Sequence, residues 1–445
     1  MRKIVFPLVH IAVLGYPVPA LAEQPQVSPD RLRADVAQLV SFGTRHTLSS
    51  DSDPKRGIGA ARRWAADEFR RTSKACGNCL EVVLPESTVS GARIPAPVRL
   101  VDVVAIQRGT ERPDEVVIVQ GHIDSRASDV MDAGSDAPGA NDDASGTALV
   151  LEAARVLSQR RFPSTIVYAA LSGEEQGLYG GRLLADFAKK QGWTVKAVLN
   201  NDIVGGTHGS DGLVDDTHVR VFSEGPRADA TDETRAAARR FGGENDSPSR
   251  NISRYIAGLA GGVQDDLAVR QVWRADRMGR GGDQLPFLEQ GNPAVRFSVA
   301  VEDYEHQHQD LRTEDGVKYG DTIDEMDFPY LAKVTRLNVA TLAALASAPM
   351  PPEPVADAAV KTWTDVRWKP VAGAVAYNVW RRRTDAPEWE SQPAVSGTTQ
   401  TAVKLEGLRG DDWLLGVSAI AADGSESPVA SAVPGGGYEP LGSQE

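Results

Sequence analysis

The stretch Val116-Val117-Ile118-Val119-Gln120-Gly121-His122-Ile123-Asp124 joins an unbroken apolar run to a histidine and an aspartate. A second apolar run occupies 165–171, and helical spacing follows the two runs at 144–158 and near 180–190. Strands that are apolar on both faces and alternate with helices are typical of a largely parallel sheet covered on both sides. The sequence therefore predicts an α/β fold with a mixed sheet flanked by helices.

The same alternation extends in both directions from these strands. The other predicted elements are helical sequence at 29–75 and about 330–347, and strands at 98–106, 195–199 and 294–299. We distinguish helices from strands here by the period at which apolar residues recur. We expect the α/β domain to occupy residues 23–349.

The composition changes at Met350-Pro351-Pro352-Glu353-Pro354, and a proline-rich stretch of this kind is typical of a semi-rigid linker. Beyond it, turn residues separate short strands at 360–368, 376–382, 399–405 and 413–421. This spacing predicts an all-β sandwich. We expect a linker at 350–358, the sandwich at 359–436 and a tail at 437–445.

The order of landmarks in the predicted sandwich resembles a fibronectin type III module. These landmarks are an early tryptophan, Trp368, a Tyr377-Asn378-Val379-Trp380 strand and a late Trp413-Leu414-Leu415-Gly416-Val417 strand. The resemblance implies two packed antiparallel sheets.

The first 22 residues predict export. Arg2 and Lys3 precede an apolar run at 4–14, and Ala20-Leu21-Ala22 supplies small residues for cleavage, which together are typical of a secretory signal peptide. The run is too short to span a bilayer as a mature helix. A buried N-terminal helix is the alternative. We expect a secreted or periplasmic protein that is not inserted in a membrane.

The net charge of the chain and its two cysteines argue against several classes of partner and of site. The formal net charge is −13, which argues against nucleic acid or an anionic membrane as a partner because either would be repelled. The two cysteines, Cys76 and Cys79, predict a local disulfide in an oxidising compartment. A redox motif would need a thioredoxin-like strand and helix around the pair, so we favour the structural disulfide.

Metal-capable side chains follow the ends of the predicted strands. Ligands of an open α/β sheet bind outside the carboxyl ends of its strands, so we expect these side chains to converge. Imidazole and carboxylate together favour zinc or a similar divalent metal, and two ions need a shared carboxylate between them. The predicted ligands are His122 and Asp202 for one ion, Glu175 with His306 or His308 for the other, and Asp142 between them.

Two further carboxylates have predicted roles beside the ligands. Glu174 adjoins Glu175, and we expect it to accept the proton of a water whose pKa the metal lowers to about 7. Asp124 lies two residues after His122, where it is placed to accept the other ring N–H and hold the tautomer.

Four motifs carry a resemblance to a known family. In order and spacing they resemble the co-catalytic zinc aminopeptidases, in particular the aminopeptidase Y-like and bacterial leucyl aminopeptidase branch, over about residues 29–348. The resemblance implies a three-layer zinc-exopeptidase fold, two Zn²⁺ per chain, a bridging Asp142, a general base at Glu174 and a cis Asp142–Asp143 peptide. The motifs are Gly121-His122-Ile123-Asp124, Pro138-Gly139-Ala140-Asn141-Asp142-Asp143-Ala144-Ser145-Gly146, Ser172-Gly173-Glu174-Glu175-Gln176-Gly177-Leu178-Tyr179-Gly180 and Asn201-Asp202.

The fifth ligand departs from the family pattern, which has Tyr-His or a single histidine. Here the segment is Tyr304-Glu305-His306-Gln307-His308-Gln309-Asp310, and counting from the tyrosine favours His308, with His306 as the alternative. Asp283 lies in a segment resembling the family's Ser-Asp-His region and is expected to orient that histidine. We expect the remaining histidines to be surface residues: His46, His208 and His218.

Together these observations predict an exported di-zinc aminopeptidase that acts as a monomer on peptides with a free N-terminus. A glutaminyl cyclase, which commonly uses one zinc and releases ammonia from N-terminal glutamine, is the nearest alternative. A carboxypeptidase is another, for which Arg280 would be the residue that binds the substrate carboxylate. A non-catalytic peptide-binding or adhesion protein is the alternative outside the enzymes.

Overall fold

The computed structural model describes residues 26–263 and 266–443. The predicted signal peptide at 1–22 lies outside these residues. The helices are α1 (Pro29–Val40), α2 (Ile58–Ala75), α3 (Ser145–Leu157), α4 (Tyr179–Lys190), α5 (Asp232–Phe241), α6 (Pro248–Ala260), α7 (Leu285–Glu289) and α8 (Phe328–Ser347). Short helical turns occupy Ala140–Ala144, Ile323–Glu325 and Leu441–Ser443.

Most strands of the α/β part belong to one sheet, and the remaining strands form smaller sheets. The strands of the α/β part are β1 (Glu81–Val83), β2 (Glu86–Gly91), β3 (Ile94–Val101), β4 (Val103–Gln107), β5 (Arg112–His122), β6 (Ser164–Leu171), β7 (Thr194–Asn201), β8 (His218–Phe222), β9 (Ala268–Val272), β10 (Ala294–Val299), β11 (Arg312–Glu314) and β12 (Val317–Tyr319). Those of the C-terminal part are β13 (Val355–Asp357), β14 (Trp363–Arg367), β15 (Ala376–Arg383), β16 (Val395–Thr398), β17 (Ala402–Glu406), β18 (Trp413–Ile420) and β19 (Ala430–Ser431).

The central sheet has eight strands in the order β1-β4-β6-β5-β7-β10-β8-β9. Its middle strands β6, β5, β7 and β10 are parallel, while β4 and β8 pair with this block in the antiparallel direction. Helices α1, α2, α3 and α8 pack on one face, and α4 and α7 pack on the other. The predicted mixed sheet flanked by helices is confirmed, and its unbroken apolar strands are explained by burial on both faces.

The region between Asp202 and Ala294 was not resolved into elements by the sequence. It contains β8, α5, α6, β9 and α7. Strand β9 lies at the edge of the sheet and is partly exposed, so it mixes arginine and glutamine with valine and shows no continuous apolar run. The predicted helical stretch 29–75 is two helices, because residues 41–57 form an irregular segment between them.

The C-terminal part contains two antiparallel sheets, β13-β14-β17 and β16-β15-β18-β19, which share an apolar core. The all-β prediction therefore holds, while the fibronectin type III resemblance stays a prediction. Two boundaries differ from the expected ones. Residues 355–357, expected in the linker, form β13 and pair with β14. Tyr438, expected in a tail, is buried and joins the core of the α/β part.

The β part is fixed to helix α6 and the loop before it. Arg382 of β15 forms an ion pair of 2.6 Å with Asp246, and both side chains are almost fully buried. Arg254 of α6 lies 3.9 Å from the same carboxylate and donates to the Pro387 carbonyl at 2.7 Å. The hydroxyl of Ser431 also donates to Asp246. The two parts therefore share a buried polar cluster as well as apolar contact.

Two expectations about compartment and membrane concern the described residues. Cys76 and Cys79 are joined in a disulfide directly after α2, as expected. Within residues 26–263 and 266–443, no helix has both the length and the apolar character that crossing a membrane requires.

We predict that Asp246→Ala lowers the free energy of unfolding by about 3–5 kcal/mol, because it leaves Arg382 buried without a counter-charge. Chemical denaturation of the full chain measures this change. Asp67→Ala is the control, because it breaks an exposed pair with Arg70 and should change the free energy by at most about 1 kcal/mol. Equal stability of the two variants would contradict the interpretation of the cluster.

Candidate metal centre

The metal-capable side chains meet at the carboxyl edge of the parallel strands. Each is placed by the end of a strand or by the turn that opens α3, and parallel strands bring their carboxyl ends to one edge. The residues are His122 at the end of β5, Glu174 and Glu175 after β6, Asp202 after β7, His308 in the segment after β10, and Asp142 in the turn before α3.

These residues form two adjacent groups. In the first, ligand atoms of His122, Glu174 and Asp202 all lie within 4.8 Å of one another. In the second, the same holds for Asp142, Glu175 and His308. The grouping follows the predicted division, with Glu174 beside the first pair of predicted ligands.

Asp142 lies between the groups and faces both histidines. Its Oδ1 is 3.1 Å from Nε2 of His122, and its Oδ2 is 2.9 Å from Nε2 of His308. Nε2 of His308 is also 3.1 Å from Oε1 of Glu175. The carboxylate of Asp142 thus offers one oxygen to each group, which is the geometry that a bridging ligand needs.

The donor atoms fit a divalent cation. Nε2 of His122 and Oε1 of Glu175 are buried and have no hydrogen-bond partner among the described residues. Buried polar atoms are rarely left without a partner, since desolvation is costly. A cation of the zinc type accepts both imidazole nitrogen and carboxylate oxygen, and would satisfy these atoms.

The charges around the two groups also favour a bound cation. Burial by itself would lower the pKa of His308, but the carboxylates of Glu175 and Asp142 outweigh it and raise the pKa to about 10. Burial raises the pKa of the Glu174 carboxyl well above its usual range, and Glu175 adds to the effect. The carboxylates therefore favour positive charge at this edge of the sheet.

Asp124 contacts the site through atoms other than those predicted. Nδ1 of His122 lies 3.1 Å from the backbone carbonyl of Asp124 and 3.6 Å from its carboxylate, so the ring N–H donates to the main chain. The Asp124 carboxylate accepts the backbone N–H groups of Glu174 and Glu175 at 3.3 and 3.2 Å, and the hydroxyl of Thr47 at 3.1 Å. Asp124 thereby positions the Glu174–Glu175 segment.

The turn that carries Asp142 is held by residues that the sequence did not single out. Asp321 is buried, and its carboxylate accepts the N–H groups of Asn141 and Asp142 at 2.8 and 2.7 Å. Burial raises the pKa of Asp321 to about 7. Arg45 donates to the carbonyls of Pro138 and Gly139 from beneath the same turn. The Asp142–Asp143 peptide is cis, as the family resemblance implies.

The structure brings His308 to the site and turns His306 away from it. Nδ1 of His306 is 2.7 Å from Asp303, and its Nε2 is 3.5 Å from Glu325. His308 has a positive φ of 58°, which turns its side chain toward Asp142 and Glu175. Of the two alternatives, His308 is therefore the one with the geometry of a ligand.

Two expectations about neighbouring residues are wrong. The carboxylate of Asp283 accepts the N–H of Gly181 at 3.0 Å and is not hydrogen-bonded to His308. His46 is fully buried rather than exposed, with Nε2 2.9 Å from the Val130 carbonyl. Both residues contact backbone groups that are distant in the chain, and the local sequence holds no signal for such contacts.

The chain is similar to known proteins in sequence and in fold. A family model described as peptidase family M28 matches residues 102–327. A probable zinc metalloprotease of Leptosphaeria maculans is 43% identical over 416 residues, which is 92% of this chain and 96% of that protein.

Solved structures share the fold. The Legionella pneumophila LapA aminopeptidase aligns with a TM-score of 0.52 and 19% identity, over 72% of each chain. The Fimbriiglobus ruber glutaminyl cyclase aligns with a TM-score of 0.52 and 19% identity, over 74% of this chain and 99% of that one. These likenesses confirm the predicted fold, and at such identity they show the fold alone.

We predict that His308→Ala lowers the bound zinc per chain, because the second group loses its only imidazole. His306→Ala is the matched control and should keep the wild-type zinc content, since His306 faces Asp303 and Glu325. Elemental analysis of the purified full chain after dialysis measures both. Zinc loss in the His306 variant alone would reverse the assignment.

Proposed function

The chain belongs to peptidase family M28, and we propose that this zinc metalloprotease is an exported di-zinc aminopeptidase that removes N-terminal residues from peptides. The observation that carries the proposal is the pair of ligand groups that share Asp142, with Glu174 beside them. One zinc would be held by His122 and Asp202 and the other by Glu175 and His308, with Asp142 contacting both.

When bound, the zinc ions would polarise the scissile carbonyl and lower the pKa of the attacking water. Glu174 accepts the proton of that water and delivers it to the leaving amine. Burial raises the pKa of this carboxyl, which makes it a stronger base than an exposed glutamate. Asp124 holds the backbone on which Glu174 stands, through the N–H groups of Glu174 and Glu175.

The aminopeptidase part of the proposal draws on the resemblance of the four motifs to the co-catalytic zinc aminopeptidases. The LapA aminopeptidase adds a shared fold. Capture of the free α-amine by a cation or a neighbouring carboxylate would limit cleavage to the N-terminus. The carboxylates that line the cleft are the proposed ligands Asp142, Glu175 and Asp202 and the proposed base Glu174, so this contact would fall to a zinc ion or to Glu174.

Glutaminyl cyclase is the alternative, because the Fimbriiglobus ruber enzyme shares the fold. The second ligand group favours the aminopeptidase, since a one-zinc enzyme has no need of a complete second set. A cyclase would release ammonia from N-terminal glutamine. A binding protein without activity would not need the Glu174 carboxylate beside His122 and Asp202.

Export and oligomeric state also belong to the proposal. The charged start, apolar run and small residues of 1–22 support cleavage after Ala22 and a periplasmic or secreted location. We propose that the mature protein acts as a monomer, with the C-terminal β part attached.

The test uses purified mature protein with leucyl-peptides that carry either a free or an acetylated N-terminus. We expect about two zinc per chain, cleavage of the free amine alone and loss of activity on chelation. Glu174→Gln should keep the zinc and lose activity by about 10²–10⁴-fold, because the proton acceptor is gone. Exposed Glu233→Gln is the control and should match wild type.

Three results would contradict the proposal in different ways. One zinc with ammonia release from N-terminal glutamine would indicate the cyclase. Equal cleavage of acetylated peptides would indicate an endopeptidase or carboxypeptidase. A fully active Glu174→Gln variant would remove that residue from the mechanism.

A further inference from the structure

The cleft above the two ligand groups is rich in arginine although the whole chain is acidic. Its volume is about 730 Å³, and four arginines line it: Arg93, Arg126, Arg277 and Arg280. The formal net charge of the chain is −13. The same lining contains four carboxylates, Asp142, Glu174, Glu175 and Asp202, so the formal charges of arginines and carboxylates balance in the cleft, whereas the whole chain is strongly acidic.

Two of these arginines lack an acidic partner. Among residues 26–263 and 266–443, neither Arg93 nor Arg126 forms an ion pair with a carboxylate. Arg93 donates to the backbone carbonyl of Glu175 at 2.8 Å, and Arg126 donates to the carbonyl of Ala127 at 3.2 Å. Each guanidinium has five N–H donors, so both keep donors and a full charge for a bound molecule.

The other two arginines share one carboxylate. Oε2 of Glu302 lies 3.4 Å from Arg277 and 3.2 Å from Arg280, while its Oε1 binds Arg220 at 2.5 Å. Asp276 offers Arg277 a second partner at 3.1 Å. Arg280 has no second carboxylate among the described residues, and its charge is only partly balanced.

Arg280 is also placed close to the reacting centre. Its Nη1 lies 3.2 Å from Oε1 of Gln307, and Nε2 of Gln307 donates to Oδ2 of Asp142 at 3.0 Å. One amide side chain therefore separates the guanidinium from the carboxylate that faces both histidines. Arg93 also contacts the backbone of a proposed ligand, through the carbonyl of Glu175.

We propose that the cleft selects peptides that carry a carboxylate within one or two residues of the scissile bond, and that Arg93, Arg126 and Arg280 bind it. Guanidinium groups pair with carboxylates through two parallel hydrogen bonds, which gives both affinity and orientation. The carboxylate belongs to an acidic side chain or to the C-terminus of a very short peptide. This inference rests on the proposed function and names its substrate class.

Three substrate pairs separate the sources of the carboxylate. Aspartyl- and asparaginyl-p-nitroanilide test the first side chain, Leu-Glu-amide and Leu-Gln-amide test the second, and Leu-Leu and Leu-Leu-amide test the C-terminus. In at least one pair we expect kcat/KM of the carboxylate member to exceed that of the neutral member by roughly tenfold or more. This ratio of kcat/KM values should be smaller at high salt than at low salt, because screening weakens charge pairing.

Variants then assign the residues. Arg126→Met and Arg280→Met, each made singly, should reduce the ratio toward one, and a ratio is insensitive to a general loss of active enzyme. Arg240→Met is the control, because Arg240 lies on the exposed surface of α5 away from the cleft, and it should keep the wild-type ratio. A ratio unchanged in all the cleft variants would overturn the assignment.

A binding measurement makes the inference independent of turnover. Calorimetry on the Glu174→Gln variant compares Kd for the members of the preferred pair, and a lower Kd for the carboxylate member supports the proposal. Ratios near one in all three pairs, with turnover of the neutral peptides, would overturn the substrate class and leave the aminopeptidase standing. Absence of turnover with all free-amine peptides, together with selective binding, would overturn the aminopeptidase and leave the carboxylate site standing.

Discussion

Buried carboxyl groups at one edge of the central sheet repel one another, and the arrangement of the whole site depends on how they are divided. Asp124, Asp143 and Asp321 accept backbone N–H groups of the surrounding loops. Their carboxyl oxygens therefore hold the main chain in place. Asp142 and Glu175 face imidazole nitrogens instead and have oxygen atoms directed at the space between the two groups. The first set shapes the loops, and the second set is left for cations.

This division explains which parts were predictable from the sequence. Strands β5, β6, β7 and β10 are apolar runs, and His122, Glu175 and Asp202 lie at or directly after the ends of three of them, so pattern and position identified both. Arg45 and Asp321 were missed because they bind backbone groups of a loop about 90 and 180 residues away in the chain. Such contacts leave no periodic signal. The predicted contact between the His122 ring and the Asp124 carboxylate was wrong for a related reason. A backbone carbonyl competes with a carboxylate for the same ring N–H.

The strands near one edge of the sheet show the same limit of prediction from sequence. Strands β8 and β9 were not predicted, because β9 at the edge and β8 beside it are partly exposed, mix polar with apolar side chains and lack the apolar run that marks the centre. In the structure, a positive φ at His308 directs that imidazole, and not His306, toward Asp142. Residue spacing alone does not reveal this φ. The sequence favoured His308 over His306 only by counting from the tyrosine of the family pattern. Local backbone conformation decided which imidazole reaches Asp142.

The junction between the two parts of the chain has a consequence for how other proteases can cut it. Pro351, Pro352 and Pro354 are buried, and in this segment only Glu353 is exposed. Beyond it, the ion pair of Arg382 with Asp246 and the buried ring of Tyr438 hold the β part to α6 and the α/β core. A protease needs several consecutive exposed residues that can adopt an extended conformation, and residues 351–354 do not provide such a stretch. If the chain were cleaved in this segment, the two fragments would stay associated and co-elute until a denaturant separates them. The β part would therefore remain attached to the α/β part after cleavage.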